Sequence, residues 1–159
     1  MNFPKNIAVF MGIAPLVLSL FACTQQKPSV IKSLDDSSPA RRYLTEFRSY
    51  RFPEAPVNTS PDGSAQVLVE SSGRLPINLF KTCHTLSVVR DSAAPELIIR
   101  ARESEPSSGL SFGWGWSKDS KAVFVNGSHL GIDCGDKMRG EIRLIYTLED
   151  RTAWSVQSR

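Results

Sequence analysis

The chain has few of the residues that catalytic and metal sites use most. Its 159 residues include only 2 histidines and 3 cysteines. We therefore expect no catalytic residues, no cofactor, no metal and no enzymatic activity.

Concentrated charge is also missing. The 19 Lys and Arg residues nearly balance the 16 Asp and Glu residues, and Arg41-Arg42 is the one adjacent basic pair. Proteins that bind nucleic acid usually gather basic residues into a patch or a stripe. This scatter predicts no nucleic-acid partner.

Long apolar runs are absent except for residues 7–22, which follow Lys5 and carry no charge. As a helix this run rises about 24 Å, less than the roughly 30 Å of a bilayer core. Gly12 and Pro15 interrupt it further. The pattern is typical of a secretory signal peptide over residues 1–22, with an uncleaved membrane anchor as the alternative.

The run ends in Leu20-Phe21-Ala22-Cys23, which resembles the lipobox of bacterial lipoproteins. The resemblance implies that Cys23 receives a diacylglycerol and anchors an exported protein to the cell envelope. Thr24 follows where inner-membrane retention often has an aspartate, so we expect the outer membrane, facing the periplasm. Ordinary cleavage that leaves Cys23 as a free thiol is the alternative.

If Cys23 is lipidated, Cys83 and Cys134 remain as a pair. Export places them in an oxidising compartment, and three cysteines are an awkward number for an exported protein. A Cys83–Cys134 disulfide would contribute up to about 4 kcal/mol in the chain-entropy model. The rival zinc site would add His84 and His129, although neighbours on a strand point to opposite faces.

Beyond the leader we expect a flexible tether over residues 23–39 and one β-domain over residues 40–159. Ser38-Pro39 is suited to start a short helix with Tyr43, Leu44, Phe47 and Tyr50 on one face, with a strand that begins at residues 50–52 as the alternative for its end. Turn residues and apolar runs then predict strands at 65–70, 75–80, 85–90, 96–101, 110–116, 121–125, 140–148 and 152–156.

Two stretches of the predicted β-domain align with each other. Residues 60–70 lie over residues 117–127 at an offset of 57, and Ala153-Trp154-Ser155 looks like a third beginning. The segment 116–121, Trp-Ser-Lys-Asp-Ser-Lys, resembles the turn of TolB-type β-propeller repeats. The resemblance implies blade-like units over about 52–108 and 109–156, with no active site carried over.

A propeller needs at least about four blades to close. We therefore expect an all-β fold of two propeller-blade-like antiparallel sheets, packed as a small sandwich or partial propeller and joined by the disulfide. A ring closed by oligomerisation and a truncated gene product are the alternatives.

The segment Phe112-Gly113-Trp114-Gly115-Trp116 alternates aromatic residues with glycine. An exposed row would make Phe112 and Trp114 ligand contacts for a sugar or a peptide, whereas a buried row would fill the core. Downstream, Asp133, Asp136 and Glu141 suggest either a Ca²⁺ loop or a solvated turn.

These features predict a lipid-anchored, non-catalytic binding or scaffold module of the bacterial envelope. Its partners would be the membrane, through the lipid, and an envelope protein or a glycan. The alternative is a small envelope hydrolase or carbohydrate-binding protein that uses the aromatic stretch 112–116.

Overall fold

The computed structural model describes residues 31–73, 82–91, 93–103, 112–127, 130–132 and 141–157. In chain order the elements are β1 (Ile31–Ser33), a 3-10 helix (Pro39–Tyr43), α1 (Leu44–Ser49), β2 (Ala65–Gly73), β3 (Thr82–Arg90), β4 (Glu96–Glu103), β5 (Phe112–Trp116), β6 (Ala122–Gly127), β7 (Leu130–Ile132), β8 (Ile142–Thr147) and β9 (Thr152–Ser155). The predicted strand at 75–80 lies outside the described residues.

The strands form two open sheets, which confirms the prediction of a small all-β sandwich. One sheet has five strands in the order β1-β9-β8-β6-β5, and the other has four in the order β2-β3-β4-β7. The first repeat supplies β2 to β4, and the second supplies β5 to β9. The correspondence between repeat and sheet fails at β7, which comes from the second repeat but pairs with β4 of the first.

The main core lies between the two sheets. Inward-facing residues on alternate positions supply it, such as Val67 on β2, Leu86 on β3, Val125 on β6 and Leu144 on β8. All four are at most 1% exposed. Their burial is the main stabilising contribution expected for a domain of this size.

A second apolar cluster covers the other face of the five-stranded sheet. Tyr43, Leu44 and Phe47 lie on one side of the helical segment and are buried, as the sequence predicted. They pack on Phe124 of β6 and Ile145 of β8. Strand β6 is therefore buried on both faces, which explains its unbroken apolar run.

The helical segment begins where Ser38-Pro39 predicted it. Pro39 occupies the first turn, where a missing N–H costs no hydrogen bond. The Ser38 hydroxyl does not cap the helix: it donates to Asp35 Oδ1 at 2.7 Å and accepts the Asp35 N–H at 2.9 Å. These bonds turn the chain from β1 into the helix.

The predicted tether at 23–39 extends too far along the chain. Residues 31–33 form β1, which pairs in parallel with β9, and the Leu34 N–H donates to the Ser155 carbonyl at 3.0 Å. Ile31 packs on the main core and Leu34 on the helix-side cluster. The folded part therefore includes residues 31–39, because Ile31 and Leu34 are partly buried against the two apolar clusters.

The third repeat beginning proposed at Ala153-Trp154-Ser155 is wrong. Ser155 still lies in β9 and pairs with Leu144 of β8, whereas the equivalent Ser117 follows β5 and begins the turn. Trp154 packs in the helix-side cluster, and its Nε1–H donates to Thr147 Oγ1 at 3.1 Å. The resemblance came from an alternating strand pattern that happens to contain Trp-Ser.

Candidate functional site

The aromatic row on β5 is turned into the protein. Trp114 is 5% exposed and Trp116 is 6% exposed, and both belong to the main core. The side chain of Phe112 lies outside the described part. Trp114 therefore presents no face to a ligand, and the sugar-binding use of this row has no support at that position.

The glycines of the same strand face the helical side of the sheet, where aromatic rings take the space. A Cβ at Gly115 would overlap the Tyr50 hydroxyl, and one at Gly113 would lie 3.3 Å from Phe52 Cβ. Tyr50 and Phe52 pack edge to face, with ring centroids 5.0 Å apart. The tryptophans of this strand therefore pack in the core between the sheets, and the glycines leave room for aromatic rings on the other face of the sheet.

The first of the aligned turns is closed by a serine and an aspartate. Ser60 Oγ donates to Asp62 Oδ1 at 2.7 Å and accepts the Ala65 N–H at 3.0 Å. Ser60 N–H donates to the Ala65 carbonyl, and Gly63 N–H to the Ser60 carbonyl. The Asp62 carboxylate also accepts the Ser64 N–H at 3.0 Å.

The second turn repeats these serine, aspartate and backbone hydrogen bonds. Ser117 Oγ donates to Asp119 Oδ1 at 2.6 Å and accepts the Ala122 N–H at 2.9 Å. Asp119 Oδ1 also accepts the Lys121 N–H at 3.1 Å. Ser120 stands where the first turn has Gly63, and both have positive φ, 60° and 75°. The repeat seen in the sequence is therefore a repeat of geometry.

The two turns lie against each other at one end of the sandwich. The Asp62 N–H donates to Ser120 Oγ at 3.1 Å, and Trp116 Nε1–H donates to the Asn58 carbonyl at 3.1 Å. Hydrogen bonds from Ser64 and Ser60 lower the pKa of Asp62 to about 2. The ionised carboxylate is thus part of the turn structure.

A semi-buried ion cluster ties the two sheets together at the same end. Glu96 on β4 accepts from Arg90 of β3 at 2.7 Å and from the Tyr146 hydroxyl of β8 at 3.0 Å, and Arg151 Nε lies 3.4 Å away. Burial acts to raise the pKa of Glu96, but these partners outweigh it and lower that pKa. Burial followed by the Glu96 hydrogen bond raises the pKa of Tyr146.

Among the described residues the one histidine is His84, and strand register places it opposite a serine. Ser71 and His84 are cross-strand partners on β2 and β3, and Ser71 Oγ lies 2.9 Å from His84 Nδ1. His84 is 5% exposed. Over the described ranges, no three His, Cys, Asp or Glu residues are grouped to hold a metal. His129, Asp133 and Asp136 lie outside those ranges.

The predicted Cys83–Cys134 disulfide stays a prediction, because Cys134 lies outside the described residues. Cys83 pairs with Arg102 of β4, which in turn pairs with Gly131 of β7. The strand leading toward Cys134 therefore belongs to the same sheet as Cys83.

The outer face of the four-stranded sheet carries an open groove of about 200 Å³. Glu70, Thr85 and Arg100 form one row across β2, β3 and β4. Because Leu86 and Val88 point into the core, Thr85 and its row lie on the opposite face. Thr85 is short and its two neighbours are long, so the groove follows β3.

A second row completes the groove. Leu68, Ser87 and Leu97 are in register across the same three strands, and Pro95 adds to the lining. A β-bulge in β4 leaves Ile98 without a partner in the ladder, between Leu97 and Ile99. Ile98 and Ile99 both enter the core, while Leu97 and Arg100 line the groove.

This groove could not be found from the sequence. Its residues come from three strands, and their rows depend on hairpin register and on the bulge at Ile98. Alternation alone would place Leu97 and Ile99 on the same face. The usable signal was the pair of small hydroxyl residues, Thr85 and Ser87, on the central strand of a β-domain.

No protein-family model, curated protein or solved structure matches the chain. Among the described residues, no helix is long and apolar enough to cross a membrane. The charge-free run 7–22 and Cys23 lie outside the described residues.

Proposed function

We propose that the chain is an exported lipoprotein, anchored through Cys23, whose β-sandwich acts as a non-catalytic binding or scaffold module of the bacterial envelope, on the outer membrane and facing the periplasm. The observation that carries the proposal is the short distance along the chain between the lipobox-like Cys23 and Ile31, the first residue of β1. Lipoproteins need little more than a signal, a tether and a stable domain.

The topology supports a definite orientation at the membrane. Strand β1 runs parallel to β9, and β9 begins at the end of the sandwich that carries the two aligned turns, at residues 60–65 and 117–122. The chain from Cys23 therefore enters the fold at that end. Residues 24–30 let it extend at most about 29 Å, so the turn end stays close to the bilayer.

The polar chemistry of the turn end supports a non-catalytic module. Asp62 and Asp119 are committed to turn hydrogen bonds, and Glu96 joins the two sheets. The outer groove, at about 200 Å³, is smaller than the 300–1,000 Å³ usual for small-molecule sites. A surface that contacts a partner protein fits these features better than a substrate cleft.

Substitution of Cys23 tests the anchor. We expect Cys23→Ser to abolish incorporation of labelled palmitate in bacterial cells and to move the chain from the membrane fraction to a soluble or unprocessed form. Gln26→Ser is the matched control, because it introduces a serine close to the lipobox but leaves the lipobox and all three cysteines intact. A Cys23→Ser chain that is processed and membrane-bound like the parent would contradict the proposal.

A further inference from the structure

We propose that the groove over β3 binds an extended peptide segment of a partner protein, by holding a carboxylate against Arg100 beside an aliphatic side chain. This inference deepens the proposed function by giving the module a ligand chemistry. It depends on that function only for the compartment in which the partner is met.

The carboxylate is inferred from the state of Arg100. Its Nε atom is buried and, in the described part of the chain, has no hydrogen-bond partner. A buried donor without an acceptor is costly, and guanidinium groups pair preferentially with carboxylates. Because Arg100 lines the groove, an entering carboxylate can pair with the guanidinium after a small rotation of the side chain.

The aliphatic neighbour is inferred from the second row of the groove. Leu68 is one of two large hydrophobic residues that are exposed in the described part, with 36% of its surface accessible. It faces Leu97 across Ser87. The two rows are about 7 Å apart along the strand, so an extended peptide can place a carboxylate and an aliphatic group in them together.

Size and lining favour a peptide over a glycan. A volume of about 200 Å³ holds a residue or two rather than an oligosaccharide. None of the described residues that line the groove has an aromatic ring on which a sugar could stack, while Thr85 and Ser87 place hydroxyl groups along the floor. These hydroxyls can bond to the polar groups of a peptide backbone.

Glu70 determines on which side of the groove a bound carboxylate lies. It lies on the wall opposite Arg100, two strand spacings or about 9.5 Å away. A carboxylate is therefore attracted to the β4 side and repelled from the β2 side. The site should distinguish a carboxylate from a neutral amide of the same shape.

The test compares two probes on the full lipidated chain in detergent micelles. N-acetyl-leucine carries a carboxylate next to an aliphatic side chain, and N-acetyl-leucinamide is the same molecule without the charge. Two-dimensional NMR titration should show N-acetyl-leucine shifting the amides of Thr85, Ser87 and Arg100. We expect the amide to bind at least fivefold more weakly.

Matched variants assign the binding to the groove. Arg100→Gln should weaken N-acetyl-leucine binding about tenfold, and Glu70→Gln should strengthen it about twofold. Arg48→Gln, on the exposed face of α1, is the control and should leave it unchanged. Retained amide dispersion in each variant shows that it is folded.

Four results would overturn the inference. The first is equal binding of the acid and the amide. The second is binding that Arg100→Gln leaves unaltered. The third is the absence of any shift in the groove. The fourth is glucuronate binding as tightly as N-acetyl-leucine, which would assign the groove to an acidic sugar. None of them bears on lipidation at Cys23, so failure here is distinct from failure of the anchor.

Discussion

At the scale of single residues, the tryptophan that suggested a repeat has a structural role. Trp116 is 6% exposed and packs with Trp114 in the core between the sheets. Its indole N–H donates to the Asn58 carbonyl, in the chain that leads into the first turn. The residue thus connects the two repeats by both packing and a hydrogen bond.

Truncation of Trp116 should therefore lower stability. We expect Trp116→Ala to reduce the free energy of unfolding by about 3–5 kcal/mol, because a large buried side chain is lost and a cavity remains. Denaturant unfolding followed by circular dichroism measures the change. Trp116→Phe should cost less, and an unchanged midpoint for Trp116→Ala would show that the side chain is not buried in solution.

The contact between Gly115 and Tyr50 makes a reciprocal prediction. A Cβ at position 115 would overlap the Tyr50 ring and hydroxyl, so Gly115→Ala should destabilise the fold by about 1–3 kcal/mol. In a Tyr50→Leu background the same change should cost much less, since the overlapping atoms are gone. Equal costs in both backgrounds, measured by thermal unfolding, would rule out this packing.

At the scale of elements, the paired turns are the most regular feature of the fold. Both use a buried serine to receive a strand N–H and an aspartate to bind the serine hydroxyl. The hairpin contacts also agree: Thr59 pairs with Gln66 as Trp116 pairs with Val123. One local sequence pattern therefore produces one structure twice.

Equivalent turns should respond equally to equivalent substitutions. We expect Ser60→Ala and Ser117→Ala to lower the free energy of unfolding by similar amounts, about 1–3 kcal/mol each, because a strand N–H is left without its acceptor. Ser64→Ala, at an exposed hydroxyl of the first turn, is the control and should cost less. A large loss of stability on substitution of one serine, and none on substitution of the other, would show that the two turns are not equivalent.

Local sequence patterns predicted most of the strands and the helical segment. Which sheet each strand joins depends on pairing between residues that are far apart in the chain. Turn signals and alternation gave most strands, and the spacing of Tyr43, Leu44 and Phe47 gave the helical face. The short strands β1 and β7 were missed, because three-residue strands owe their existence to a neighbouring edge. β1 forms on β9, and β7 forms on β4.

At the scale of the whole molecule, the outcome of the ligand-contact prediction at Trp114 followed burial. The composition and the two repeats predicted the sandwich, but the sequence could not tell whether Trp114 faced solvent or core. That choice depends on the second sheet covering β5. The groove at Arg100 depends likewise on register across three strands, so no local pattern revealed it.

Acid should destabilise the fold through the carboxylates that hold its turn end. The pKa of Asp62 is about 2 in the folded chain and 3.8 ordinarily, so its contribution is present above about pH 4 and is lost as the pH falls toward 2. The lowered pKa values of Asp119 and Glu96 act in the same direction. The midpoint of thermal unfolding should therefore fall as the pH is lowered from about 4 to about 2.

Asp62→Asn should flatten that fall, since the amide does not titrate. Asp36→Asn is the matched control, because the Asp36 side chain is 92% exposed and lies outside the two aligned turns at residues 60–65 and 117–122. If the two variants and the parent lost stability in parallel between pH 4 and pH 2, Asp62 would have no part in the acid response.

We propose a folded module that is held to a membrane by the lipid on Cys23. Mass spectrometry of the mature chain, purified from bacterial membranes, is the decisive measurement. We expect a protein that begins at Cys23, with residues 1–22 removed and the mass of a diacylglyceryl group, with or without an N-acyl chain, on the first residue. A mature chain that begins elsewhere, or that carries an unmodified Cys23, would contradict it.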